Sequence, residues 1–245
     1  MAKEFVIAKT TKEAASYLRK GAALLAGGTE VNRLESSVSA NTLVSIGRIQ
    51  GLDGISKSGK SLKLGSMCTF QELVDCEKVP DYLKKACLFM SSRTRRNMAT
   101  IGGNIASMRD DSYLLATLLA CGAKLTVLKA GKEVTVPLES YVKDAKVRKY
   151  LILSVTVPSE GCVASKRYAN TAASHSYLTV SASKKGKAIR LGICAKNSGI
   201  YCCEDYSSIM NIKFKTDMFG SKEYKKYLLD VTSVDLINEV KGDDK

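Results

Sequence analysis

Leu24-Leu25-Ala26-Gly27-Gly28-Thr29-Glu30 and, much further along the chain, Ala99-Thr100-Ile101-Gly102-Gly103-Asn104 are the stretches on which the fold turns. Each reads as a strand that delivers a double glycine and then a small hydroxyl or amide side chain. Paired glycines carry no Cβ and tolerate positive φ, so the backbone can come close to another group. Successive N–H groups in such a turn form a concavity suited to phosphate. Thr29 and Asn104 add side-chain donors at the same places. Two turns of this kind in one chain predict a single elongated anionic ligand gripped from both sides.

The segments around them read as alternating strands and short helices. Phe5-Val6-Ile7-Ala8 is a strand, and Thr10 with Glu13 forms a capping box for a helix carrying Ala14, Tyr17 and Leu18. Gly21 is placed to end that helix in a left-handed cap. Leu43 to Ile46 is a strand, and Gly51-Leu52-Asp53-Gly54 a turn, which completes a first β-rich lobe. A second lobe opens with the strand Leu62 to Gly65, and Thr69 with Glu72 forms another capping box. A helix from about Asp81 follows, then a basic loop from Arg93 to Asn97. Past the second glycine pair, Asp110 or Asp111 caps a helix bearing Leu114, Leu115, Leu118 and Leu119, stopped at Gly122. Strands at Ala123 to Leu128, Val134 to Val136 and Leu151 to Pro158 close this lobe. Pro158 to Gly161 reads as a boundary. Beyond it, Leu178 to Ser183 and Ala188 to Ile193 flank Lys184-Lys185-Gly186-Lys187 as a hairpin, and Ser233 caps a final helix through Leu236, Ile237 and Val240.

Composition narrows the class. The 245 residues are 45% hydrophobic, with a mean hydropathy of −0.07, enough to build a packed core. No apolar run approaches the roughly 20 residues that span a bilayer, and Met1 to Phe5 lacks the layout of a secretory signal, so a cytoplasmic location is expected. Eight cysteines are scattered without a C-x-x-C pair, which predicts reduced, mostly buried thiols and no metal site. Cys202-Cys203 is the pair that could be redox-active or lie near a ligand. The net charge of +14, from 38 basic and 24 acidic residues, raises nucleic acid as a partner. The basic residues, however, fall in separate clusters without interleaved aromatics, and no zinc-finger or helix-turn-helix spacing is present. A solvated surface or a face meeting an acidic partner is the reading adopted. His175, the single histidine, sits in a Ser/Ala-rich loop with no triad or nucleophile-elbow pattern and is read as non-catalytic.

The order of the two glycine segments resembles the FAD-binding domain of the molybdenum hydroxylases, the group containing xanthine dehydrogenase and carbon monoxide dehydrogenase. Leu62-Lys63-Leu64-Gly65-Ser66-Met67-Cys68-Thr69 is similar to the family's strand and helix start between the two loops. Arg96-Asn97 before the second loop and the strand Leu151 to Pro158 fit as well. The resemblance implies an α+β protein: a two-lobed α/β FAD-binding domain of PCMH-like type over residues 1–158, with lobes of about 1–55 and 56–158. A small α+β C-terminal domain with an antiparallel sheet would occupy 161–245.

The resemblance also implies a site. Leu25, Ala26, Gly27, Gly28, Thr29, Glu30 and Val31 would wrap the FAD diphosphate, with Thr100, Ile101, Gly102, Gly103 and Asn104 completing the grip. The four glycines would offer N–H groups, and Glu30 would cap the next helix or meet the ribose. The family's adenosine-side carboxylate is displaced here, since the usual spacing lands on Tyr113; Asp110 or Asp111 would serve, or would cap the helix. Ile152 matches a position whose side chain touches the flavin ring, and Arg167 stands where the family often has lysine near the flavin. Function follows the resemblance: an FAD-containing oxidoreductase subunit in a hetero-oligomer with separate iron–sulfur and molybdenum-cofactor subunits, passing electrons to NAD or another acceptor. The general reason is that such cofactors carry the redox chemistry while the protein orients them. The alternative is a basic scaffold or nucleic-acid-binding module that has lost the flavin.

Overall fold

In the computed structural model, residues 2–33 and 40–242 are described. β1 (Glu4–Ile7), α1 (Thr11–Arg19), β2 (Ala23–Leu25) and β3 (Thr42–Ser45) form the first unit, a three-stranded parallel sheet in the order β1-β3-β2. The Thr10 hydroxyl caps α1 by accepting from the Glu13 N–H. Glu13 does not close the box, because its carboxylate accepts instead from the Lys9 N–H at 2.8 Å. Gly21, at φ +86°, follows the helix as its spacing requires.

The second unit is β4 (Ile55–Ser58), β5 (Ser61–Gly65), α2 (Phe70–Asp75), α3 (Asp81–Leu88), α4 (Arg93–Met98), α5 (Ile101–Ala106), α6 (Leu115–Ala120), β6 (Lys124–Lys129), β7 (Lys132–Pro137), α7 (Leu138–Lys143) and β8 (Leu151–Pro158). Its strands form an antiparallel sheet in the order β4-β5-β8-β6-β7. The near-continuous apolar run of β8 thus lies at the sheet's centre. Leu151 and Leu153 pack with Val44 and Ile46 of the first unit, whereas Ile152, Val155 and Val157 pack with Leu62, Phe70 and Leu114. One strand thereby ties two cores together. The Thr69–Glu72 capping box that starts α2 is complete.

Three local readings change here. The basic stretch Arg93 to Asn97 is a helix, capped by Ser92, because Arg96 turns inward and donates to the Met90 and Ser91 carbonyls and to Gln71 Oε1. Charge alone had placed it on a solvated surface. The second glycine pair does not follow a strand; Ile101 to Ala106 is a short helix capped by Thr100. α6 is not capped by Asp110 or Asp111: Ser112 Oγ accepts from the N–H groups of Leu114 and Leu115, and Asp111 is committed to Arg109.

The third unit is β9 (Cys162–Tyr168), β10 (Leu178–Lys185), β11 (Ala188–Ala195), β12 (Gly199–Cys203) and α8 (Lys222–Lys241). The strands form an antiparallel sheet in the order β12-β11-β10-β9, with the expected β10–β11 hairpin turning at Gly186. α8 covers one face, and α6 of the second unit meets the other. Gly192 has no Cβ because one would stand 2.0 Å from the Ala116 carbonyl oxygen. Beside it, the hydroxyls of Thr117, Ser165 and Ser181 bond one another at 2.8–3.1 Å across that contact. α8 begins at Ser221 rather than Ser233, which lies buried in its interior. The sequence hid this start because the lysine-rich run before Leu228 looks solvated. Lys225 is in fact buried and bonded to Asp217 Oδ1 at 2.5 Å and to the Lys215 carbonyl.

Candidate functional site: a cleft between the two glycine segments

Glycine brings the two segments into contact with each other. A Cβ on Gly27 would lie 1.5 Å from the Met98 carbonyl oxygen at the end of α4, and one on Gly102 would lie 2.6 Å from Ser66 Cβ. One on Gly103 would meet the Thr100 hydroxyl at 2.8 Å. Gly27 and Gly102 admit no side chain because the backbone of another segment fills the space, whereas at Gly103 the obstacle is the Thr100 side chain. Gly28 differs: its φ is +73°, and its nearest neighbour would be the flexible end of Asn32.

Where the segments meet, a cleft of about 260 Å³ opens. Ala26, Gly27, Gly28, Thr29, Glu30 and Val31 line one side, and Thr100, Gly102 and Gly103 the other. Leu24, Ile46, Tyr150 and Ile152 add apolar lining, and Arg148 adds a cation. Beyond Thr29 and Gly103 the cleft continues into a smaller, charged cavity of about 60 Å³ walled by Arg95, Asn104, Arg109, Asp111, Tyr113 and His175.

The donors on the two sides are not equivalent. Among the described residues, the N–H groups of Gly27, Gly28 and Thr29 have no protein acceptor, nor does the Thr29 hydroxyl make a bond. On the other side the backbone is engaged: Gly102 donates to the Ser66 carbonyl at 2.8 Å, and Gly103 to the Thr100 hydroxyl at 3.1 Å. The expectation of N–H donation from Gly102 and Gly103 therefore gives way to a packing role; Gly27 and Gly28 carry the free donors. Ser66 Oγ, buried in the cleft wall, has no hydrogen-bond partner. An unsatisfied buried hydroxyl is costly unless a ligand completes it. A strip of free donors beside an orphaned hydroxyl is the donor set a diphosphate needs.

At the charged end Asp111 is 1% exposed and is held by Arg109 in a two-point pair, Nε–Oδ1 2.6 Å and Nη2–Oδ2 2.5 Å. Arg109 also bonds Glu30 at 3.1 Å, and Arg33 lies 3.4 Å from the same carboxylate. Glu30 accordingly joins an ion-pair network with Arg109 and Arg33; the helix that the sequence predicts it to cap would run into residues 34–39, outside those described. Burial works against the Arg109 charge, but the hydrogen bond and charge of Asp111, helped by Glu30, hold its pKa above the usual arginine value. His175 lies 5.2 Å from Tyr113 ring to ring, with Nδ1 3.9 Å from Asp111. Burial, reinforced by Arg109, Arg33 and Arg95, lowers its pKa against the pull of Asp111.

Of the residues expected at the site, Leu25, Ile101 and Arg167 lie outside both cavities. Ile101 is in the core, and Leu25 accepts the Ile46 N–H through its carbonyl. Arg167 is held by Ser176 Oγ and by carbonyls of the 171–174 loop, with its guanidinium 5.6 Å from the Tyr113 ring. Sequence reasoning missed Ser66, Arg95, Arg109, Arg148 and Tyr150. Ser66 stood inside a quoted motif, and its place after the Gly65 turn was the available signal; nothing local distinguished the others.

The cysteines form no cluster. No group of three or more His, Cys, Asp or Glu suited to a metal occurs among the described residues. Burial pushes the thiol pKa up to about 11 at Cys68 and Cys203 and to about 12 at Cys87 and Cys121. Burial also raises Cys202, whose sulfur accepts from Arg190 Nε at 3.1 Å.

A cleft lined by free backbone donors between two α/β units fits a phosphate-bearing ligand. Residues 1–160 match the FAD binding domain in molybdopterin dehydrogenase, and the chain belongs to that family. FAD is therefore its cofactor. The uncharacterized protein YgfM of Escherichia coli (strain K12) is 28% identical over 224 residues, covering 86% of this chain and 85% of that one. The 6-hydroxypseudooxynicotine dehydrogenase complex subunit alpha of Paenarthrobacter nicotinovorans is 28% identical over 167 residues, 63% of this chain and 56% of its own. Among solved structures, a chain of carbon monoxide dehydrogenase from Hydrogenophaga pseudoflava superposes with TM-score 0.85 at 19% identity, covering 99% of this chain and 98% of that one. A chain of quinoline 2-oxidoreductase from Pseudomonas putida 86 gives 0.84 at 17%, with the same coverage. At that identity the two structures establish the fold.

Proposed function

We propose that this chain is the FAD subunit of a multi-subunit molybdenum-hydroxylase-type complex of the xanthine dehydrogenase class. It would take electrons from an iron–sulfur subunit, with a molybdenum-cofactor subunit beyond it, and pass them to NAD or another acceptor. The observation that carries the reading is the cleft in which Gly27, Gly28 and Thr29 present free N–H groups opposite Thr100 and Gly103. Residues 1–158 act as the FAD-binding domain and 161–245 as the C-terminal domain.

FAD supplies the redox chemistry when bound; the chain's own residues bind it, orient it and exclude water. The free N–H groups of Gly27, Gly28 and Thr29 and the Thr29 hydroxyl would hold the diphosphate, and the unpartnered Ser66 Oγ would add a hydrogen bond. Ile152 lines the cleft and Asp111 the adjoining charged cavity, so the apolar lining would suit a ring system and the Arg109–Asp111 cavity a polar part of the dinucleotide. Arg167, bonded to the 171–176 loop, positions that loop and His175 over the charged end. One relative, named as a subunit of a dehydrogenase complex, supports the partner assignment. The surplus of positive charge favours an acidic partner face. A cytoplasmic location is part of the proposal; among the described residues no helix is long and apolar enough to cross a membrane.

The reading is tested by purifying the chain, recording its visible spectrum and identifying the chromophore released on denaturation. Bound FAD, with iron–sulfur and molybdenum subunits co-purifying from the native host, is the expected result. A colourless protein that binds no added FAD, but shifts DNA in a salt-dependent way, would instead support the flavin-free scaffold.

A further inference from the structure

Beside the two glycine segments the cleft has a third wall, and it carries two side-chain donors with nothing to bond. Residues 138–152 supply it: α7 delivers Tyr141, the short turn Val147–Lys149 delivers Arg148, and Tyr150, Leu151 and Ile152 lead into β8. The segment is fixed from several sides. The Leu138 N–H donates to the Ala123 carbonyl at 2.9 Å, and the Val147 N–H to the Asp144 carbonyl at 3.1 Å. Arg190 of β11 holds Glu139 at 2.6 Å, which pins α7 to the third unit.

Tyr141 is 1% exposed, with its ring in the core of the second unit, yet it lines the cleft. Its hydroxyl makes no hydrogen bond among the described residues, and a buried hydroxyl left unmet is costly. Burial pushes its pKa up to about 12 against the pull of Arg148, so the hydroxyl keeps its proton and has a hydrogen to give. Arg148 lines the same cleft, and among the described residues its guanidinium has neither an acceptor nor an ion pair. Arg109, Arg167 and Arg190, by contrast, are each committed to protein acceptors.

We infer that Tyr141 and Arg148 hold the edge of a flat heteroaromatic ring, donating to lone pairs on its ring nitrogens or carbonyl oxygens. Leu24, Ile46 and Ile152 supply the apolar surface that the faces of such a ring need. A bare phosphate would leave that surface uncovered, and a hydrocarbon would leave both donors unmet. The inference rests on the assignment of FAD to this cleft and deepens it. The adenine and the flavin each present an edge of acceptor lone pairs, and the free N–H groups of Gly27, Gly28 and Thr29 line the same cleft for the diphosphate between them.

Isothermal titration of the full apo-chain with FAD, ADP and FMN tests it. Tyr141→Phe keeps the packed ring and removes only the hydroxyl, so it should melt no lower than wild type. It should bind FAD about 3–10-fold more weakly, the loss of one neutral hydrogen bond. Arg148→Met should weaken FAD on the order of 10–100-fold, because a charge-assisted bond is worth more. Lys146→Met removes an exposed cation of the same segment that lies outside the cleft, and should bind as wild type does. The fragments identify the ring: a loss seen with ADP assigns the adenine to this wall, and a loss seen with FMN assigns the flavin. A wild-type chain that binds none of the three ligands overturns the FAD assignment and this inference with it. A wild-type chain that binds FAD while Tyr141→Phe and Arg148→Met both match it within about twofold overturns the inference alone.

Discussion

Replacing Gly28 by Asp, with Asn as its neutral twin, separates the diphosphate reading of the cleft from a merely structural one. Gly28 sits at φ +73°, where an ordinary L-residue is strained by roughly 1–2 kcal/mol and Asn or Asp by less. An added Cβ would stand 2.8 Å from Asn32 Nδ2, a side-chain tip able to swing away, and 3.4 Å from Leu25 Cδ1. Both variants should therefore fold, each losing about 1 kcal/mol, or roughly 2–4 °C of Tm for a chain of this size. They differ only in charge. At an effective dielectric constant of about 20, two unit charges some 5 Å apart repel by about 3 kcal/mol. A carboxylate at position 28, beside the N–H groups that hold the diphosphate, should thus weaken FAD by on the order of 100-fold relative to the Asn variant. The assay is titration of apo-protein with FAD, followed by quenching of flavin fluorescence. An Asp variant that binds FAD within threefold of the Asn variant would refute the placement of the diphosphate at this turn.

Further outcomes follow from the neighbouring geometry. Arg109→Met leaves Asp111 buried with only Lys196 and His175, each 3.9 Å away, and should cost about 3–5 kcal/mol; adding Asp111→Asn should recover part of it, as thermal melts will show. Gly102→Ala forces a Cβ to 2.6 Å from Ser66 Cβ and 2.7 Å from its carbonyl oxygen, an overpacking worth about 1–3 kcal/mol and readable as a lowered Tm. His175, the single histidine, should titrate below its ordinary value of 6.5 in an NMR pH series. Because the unfolded chain then binds more protons, its contribution to stability is present above the unfolded pKa and is lost as pH falls through the folded one. A thiol reagent at pH 7 should modify the exposed Cys162 first, while buried Cys68, Cys87 and Cys194 react only on denaturation.

The sequence by itself determined the features that depend on neighbours along the chain. The Thr69–Glu72 box, the left-handed stop at Gly21 and the Lys185–Gly186 hairpin each need only a few adjacent residues, so local chemistry sufficed. The paired glycines identified the family for the same reason: they form a short, ordered pattern. Tertiary structure alone decided why those glycines are there and which polar groups remain free. Gly27 is forbidden a side chain by the Met98 carbonyl and Gly102 by Ser66, contacts made between distant segments. The buried Arg96 and Lys225 looked like solvated surface because a charge declares its partners only once the chain has brought Gln71 and Asp217 beside it. Arg109, Asp111 and Glu30 likewise became one network only when α5 and the first turn were packed together, since an ion pair depends on distance in space and leaves no periodic trace in sequence.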